Sequence, residues 1–160
     1  PSDTSSIAGN GAVTLHMDKR GVLWIGTNQF GLDSFDPRTE KFSHWRHSET
    51  DTNSPAGNWI GTIHEDIVGN IWLGSEQGLD KFGKTTGTVK RFGISFGSGS
   101  KSITVITEDA RGYLWISDYE GAFTNSIKEA NSSHITLPET AYRVSNFRVR
   151  ATLDKMVRLL

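Results

Sequence analysis

The sequence has no cysteine, so neither a disulfide framework nor a thiolate metal site can organise it. It also lacks an excess of charge of either sign. Lys and Arg number 17 against 18 Asp and Glu, which leaves no field to gather nucleic acid or an anionic surface. No run approaches the roughly 20 apolar residues that a membrane-spanning helix needs, so direct membrane insertion is not expected. The opening Pro1-Ser2-Asp3-Thr4-Ser5-Ser6 has neither the basic region nor the apolar stretch of a signal peptide, and no targeting signal is expected in the chain. No nucleophile motif occurs. The Gly-rich residues 93–99 lead into no helical pattern, so they read as a flexible linker rather than a phosphate loop.

What the sequence does have is 17 glycines and 5 tryptophans, and they recur. Gly21-Val22-Leu23-Trp24-Ile25-Gly26, Gly69-Asn70-Ile71-Trp72-Leu73-Gly74 and Gly112-Tyr113-Leu114-Trp115-Ile116-Ser117 superimpose, with spacings of 48 and 43 residues between tryptophans. An aspartate stands six residues before each tryptophan: Asp18, Asp66 and Asp109. A period of this length belongs to solenoids or propellers, and the internal pattern decides between them. Residues 13–17, 60–64 and 103–107 are rich in β-branched side chains. Each run is followed by a four-residue turn with Asp first and Gly fourth, as a type I turn with a positive-φ glycine requires. A second strand runs through the tryptophan. A third begins at Leu32 or Leu79, and a fourth follows at residues 41–45 and 88–92 after the turns Asp36-Pro37-Arg38-Thr39 and Lys84-Thr85-Thr86-Gly87. Four short antiparallel strands per repeat describe a propeller blade.

The expected fold is therefore all-β: an open arc of about three four-stranded antiparallel blades plus the start of a fourth. Residues 1–12 are the end of a preceding linker, since Asp3-Thr4-Ser5-Ser6 matches Asp51-Thr52-Asn53-Ser54. Blade 1 is expected at 13–58, blade 2 at 59–101, blade 3 at 102–135 and a partial or degenerate blade 4 at 136–160. Residues 153–160 resemble 17–24, but Leu153, Met156, Val157 and Leu160 also fall at helical spacing, so an amphipathic helix stays open. Both ends cut the repeat, and the chain is expected to be a fragment that packs against further blades or self-associates to finish a ring.

The run Glu65-Asp66-Ile67-Val68-Gly69-Asn70-Ile71-Trp72-Leu73-Gly74 followed by Gly78-Leu79-Asp80-Lys81-Phe82 resembles the two-component regulator propeller repeat. The resemblance covers about residues 1–125. WD-type repeats would need Gly-His and Trp-Asp pairs that are absent. The resemblance implies a place in the extracytoplasmic, periplasmic part of a membrane-spanning sensor. Such sensors are typically hybrid histidine kinases and sometimes diguanylate cyclases, and many of them sense oligosaccharides. Neither a kinase nor a cyclase module is present here, so the chain is not expected to be an enzyme. The streptogramin lyase group supplies the competing enzyme reading, and a truncated product without activity is a third.

Candidate chemistry is sparse. The aspartates are explained by their turns and the tryptophans by an inter-blade core. His16 and His64 share a repeat position but sit on different blades, so no metal is expected; His44 and His47 are expected to be solvated. No catalytic residue and no cofactor is expected. The binding candidates are irregular loop positions: Asn28, Gln29 and Phe30; Glu76 and Gln77; Asp118, Tyr119 and Glu120; and Trp59 in a linker that shares their face with Asn10 and Asn58. Amide, carboxylate and aromatic groups together suit an oligosaccharide or another small polar ligand.

Overall fold

The structure is a computed structural model that describes residues 5–92, 94, 100–119, 122–125 and 142–143, the last two stretches as backbone alone. The described residues form twelve strands and no helix. Blade 1 holds β1 (Ala12–Met17), β2 (Leu23–Thr27), β3 (Leu32–Asp36) and β4 (Lys41–Trp45). Blade 2 holds β5 (Ile60–Glu65), β6 (Ile71–Ser75), β7 (Gly78–Phe82) and β8 (Val89–Phe92). Blade 3 holds β9 (Ile103–Glu108), β10 (Leu114–Asp118), β11 (Ala122–Asn125) and β12 (Tyr142–Arg143). Each is an antiparallel sheet in chain order, and β1, β5 and β9 lie along one another, so the blades stack in sequence as an open arc.

The strands fall where the alternation and turns put them. One boundary needs correction. Ala122 and Phe123 pair with Arg143 and Tyr142, so the third sheet takes its fourth strand from beyond the limit at 135. The first two copies mark that strand with an Asp-Pro or Thr-Gly turn, and the third copy has neither. The rest of the expected partial blade or helix at 136–160 lies outside the described residues.

The core is made at the two junctions. Val22, Trp24 and Leu32 of blade 1 meet Ile60, Ile63, Ile71, Leu73, Phe82 and Val89 of blade 2, with Trp45 packed alongside. Trp24 stands edge-on to Phe82 with ring centroids 5.0 Å apart. Trp72, Leu79 and Phe92 do the same toward Ile103, Ile106, Leu114 and Ile116. Gly26 and Gly74 make the approach possible: a Cβ at either would run into the backbone carbonyl of Ile60 or Ile103 on the next blade. The value of a junction is visible in equivalent residues. Ile63 and Ile106 are 8% and 7% exposed beneath a preceding blade, whereas Leu15 is 62% exposed where the described residues supply none.

Candidate functional site

Each blade has two ends, and they differ chemically. One end carries the β1–β2 type turns. There Asp18 Oδ1 accepts the N–H groups of Arg20 and Val22 at 2.9 and 3.0 Å, and Gly21 holds φ at +81°. The other carboxylate oxygen does something the turn alone does not require. Asp18, Asp66 and Asp109 accept the indole N–H of Trp24, Trp72 and Trp115 at 3.2, 2.8 and 3.2 Å. The fixed spacing of six residues is therefore a hydrogen-bond length. Burial pushes the Asp18 carboxyl up, but the N–H of Val22, the indole of Trp24, the N–H of Arg20 and the Lys84 ammonium outweigh it and hold it at about 2.

The same end ties blades together. Glu65 and Glu108 accept the N–H of Lys19 and Ile67 from the preceding blade at 2.8 and 2.7 Å. Lys84 of blade 2 reaches Glu65 at 2.6 Å and Asp18 at 3.3 Å. Lys19 Nζ donates to the carbonyls of Asp66 and Ile67. The cleft of about 500 Å³ between the two blades here, lined by Lys19, Arg20, Glu65 and Lys84, is thus walled by committed side chains. The spacing of Glu65 and Glu108 just before the aspartates was the one sequence signal for these ties. His16 and His64 face those glutamates at 4.0 and 3.6 Å. Among the described residues no group of three His, Asp or Glu is placed to hold a metal ion.

The other end carries the β2–β3 type loops and the linkers, and the sequence candidates divide there. Asn28, Gln29 and Phe30 are exposed at the loop tip, with the Phe30 ring over Gly9 of the first linker. Asn28 N–H donates to Gly11 and Gly31 N–H to Asn58, so loop and linkers form one surface. Trp59 is half-buried over Gly61. Gln77 is exposed, and Tyr119 is 87% exposed. Two candidates point inward. Glu76 accepts the N–H groups of Asn58 and Trp59, both at 3.1 Å, and so serves the linker. Asp118 is buried. Glu120 lies outside the described residues.

Under this surface lies a feature the sequence did not announce. Residues 47–58 form a strap from blade 1 across blade 2. Arg91 grips it from β8, donating to Ser54 O and Oγ at 2.9 Å and to Asp51 O at 3.0 Å. Asp80 Oδ2 accepts Ala56 N–H at 2.7 Å, as Asp33 accepts Ala8 N–H at 2.8 Å one blade earlier. Burial pushes Asp80 up to about 7 against the pull of the Ala56 N–H and of Arg91, with Glu76 adding to the rise. Neither His44 nor His47 is the free, solvated side chain expected. His44 Nδ1 lies 2.8 Å from Asp33, and His47 sits between Pro55 O and Glu49. The strand-end and linker positions of these histidines gave no sign of those acceptors, which come from residues 11 positions before His44 and 8 after His47.

Residues 6–29 match the sequence model of the two component regulator propeller family. No curated protein matches the chain. Among solved structures, the extracellular domain of the hybrid two component system BT3049 from B. thetaiotaomicron is similar at a TM-score of 0.71 and 22% identity, over 85% of this chain and 19% of that one. The extracellular domain of BT4673 from the same organism is similar at a TM-score of 0.67 and 23% identity, over 89% of this chain and 20% of that one. The chain spans about a fifth of the length of these structures. No helix among the described residues is long and apolar enough to cross a membrane. At this identity the shared property is the fold, a run of propeller blades, and residues 6–29 match the repeat model of the two component regulator propeller.

Proposed function

We propose that this chain is part of an extracytoplasmic, periplasmic ligand-sensing propeller of a two-component phosphorelay sensor, and that it binds its ligand without transforming it. The observation that carries the reading is the pair of exposed rings at the linker end of the blades. Phe30 is 41% and Tyr119 87% exposed, on loops anchored to a rigid double junction. Turn chemistry accounts for neither ring. Phe30 adjoins the exposed amides of Asn28 and Gln29, and Gln77 is exposed in the matching loop of blade 2; together with Tyr119, such groups suit a polyhydroxylated ligand, with stacking for the apolar face of a sugar and amides for its hydroxyls. Glu76 and Asp118 belong to the support beneath.

Isothermal titration of the 160-residue chain against a panel of neutral and acidic oligosaccharides tests this. Binding to at least one is expected, and Phe30→Ala or Tyr119→Ala should weaken it about tenfold, the equivalent of about 1.4 kcal/mol. Binding that survives the double substitution unchanged would move the site off these loops. Silence across the whole panel would remove the carbohydrate reading.

A further inference from the structure

Beside Arg91 and Glu76, the strap is held by two titratable side chains, Asp80 and His47. At its far end Asp80 is fully buried, with one carboxylate oxygen on Ala56 N–H and the other, Oδ1, without a hydrogen-bond partner among the described residues. Its cross-strand neighbour Arg91 would be the obvious counter-ion but turns away to grip Ser54, Asp51 and Pro55 of the strap. Blade 1 provides the comparison. At the same position Asp33 has its Oδ1 met by both His44, at 2.8 Å, and Arg46, at 2.9 Å. A buried carboxylate with an unmatched oxygen is costly as an anion and far less so as an acid.

At its near end the strap closes on itself through His47. The backbone N–H of His47 donates to Asn58 Oδ1 at 2.9 Å. Its ring nitrogens face two acceptors, Pro55 O at 2.9 Å and Glu49 Oε1 at 3.2 Å. A neutral imidazole has one N–H and can serve only one of them; imidazolium serves both. The carbonyl of Pro55 and the Glu49 carboxylate raise His47 accordingly, against burial and the charge of Arg91.

We propose that residues 47–58 are a proton-operated strap, closed over blade 2 while Asp80 is neutral and His47 is charged, and loosened together with Trp59 when both lose their protons. The charged groups that face the pair are Arg91 from β8, Glu76 from the loop after β6, and Glu49 of the strap itself; Arg91 is engaged with the strap and Glu76 holds the N–H groups of Asn58 and Trp59. Both groups act in one direction. Lifting the strap returns Asp80 to water, where it ionises near its ordinary 3.8, so opening releases a proton between that value and about 7. His47 adds a release above its ordinary 6.5. Opening therefore rises with pH, about tenfold per pH unit from Asp80 up to neutrality, with a smaller further rise from His47. The proposal stands whether or not the linker end binds a sugar.

Hydrogen exchange of the intact chain tests it, read at the amides of Ala56, Asn58 and Trp59 with Leu73 of β6 as internal reference. After correction for intrinsic exchange, strap protection is expected to fall about 100-fold relative to Leu73 between about pH 5 and about pH 7. Asp80→Asn should flatten most of that change and His47→Gln the remainder. A strap whose relative protection does not move with pH overturns the proposal, as does an unchanged slope in Asp80→Asn. Should Asp80→Asn not fold, the ¹³C carboxyl titration of Asp80 in the unaltered chain decides: a midpoint near neutrality supports the strap, and one in the ordinary carboxylate range overturns it.

Discussion

The hydrogen bond from Trp72 to Asp66 is the point at which turn and core are most closely coupled, and its strength can be worked out. The indole N–H meets Oδ2 at 2.8 Å, with Trp72 at 1% and Asp66 at 5% exposure. Water cannot replace either partner. Trp72→Phe removes the donor and part of the ring, losing about 1.5–3 kcal/mol for a bond to a charged acceptor and about 1–2 kcal/mol of packing against Phe92 and the blade 3 isoleucines. Asp66→Asn removes the charge while its remaining oxygen can still accept the Asn70 N–H. The quantity that isolates the bond is the coupling in a double-mutant cycle, read from urea unfolding of the four proteins by circular dichroism. A coupling of about 1.5 kcal/mol or more is expected. The same cycle at Asp109 and Trp115 should give less, because that indole is only half-buried and its bond is 3.2 Å long. A coupling at Trp72 below about 0.5 kcal/mol would mean that the recurring spacing reflects the turn alone, and the account of the core given above would fail.

Two further outcomes follow from the same geometry. Asp18, Asp66 and Asp109 all have folded values below the ordinary 3.8, Asp18 at about 2, so the stability they contribute is complete above about pH 4 and is lost as pH falls through the folded values. For Asp18 this amounts to about 1–2 kcal/mol once solvent screening is allowed for, and Asp18→Asn should remove that share of the acid sensitivity seen in denaturant midpoints between about pH 5 and about pH 2. Ile63→Thr and Leu15→Thr make the same kind of change at the same repeat position, one beneath a preceding blade and one exposed. The first should cost about 2 kcal/mol and the second less than about 0.5 kcal/mol; equal costs would contradict the junction as the seat of the core.

Much of this architecture was legible in the sequence because a propeller blade repeats its demands. Asp18, Asp66 and Asp109 with Gly21, Gly69 and Gly112 announced three turns, and the apolar neighbours of each tryptophan announced a buried strand. What stayed illegible was contact between repeats. Lys84 meets Asp18 across 66 positions and Arg91 meets Ser54 across 37, and no local pattern encodes such reach. The binding candidates were half legible for the same reason. Phe30 and Tyr119 could be chosen because nothing local explains an aromatic at a loop tip. Glu76 looked equally available, and only the fold reveals the two linker N–H groups it serves. The last strand of blade 3 follows no turn signal, so nothing in the repeat marks its place beyond residue 135.

The pattern of conserved spacing and free variation within the turns has a physical origin. The aspartate shapes the turn by accepting its N–H groups and at the same time receives the indole, so turn geometry and core depth are set by one carboxylate. That geometry leaves one N–H, of Lys19 or Ile67, pointing out toward the next blade, where Glu65 or Glu108 accepts it. The contact reads backbone, not side chain, which is why the residue there can be Lys, Ile or Ala without breaking the series while Asp, Gly and Trp recur. Met17 stands at the glutamate position of blade 1, 57% exposed beside Leu15, and has no carboxylate to offer a preceding turn. A blade seated against β1 would therefore lack the glutamate-to-turn bond, and the junction there would be weaker than the two described by the loss of that charge-assisted hydrogen bond, about 1.5–3 kcal/mol.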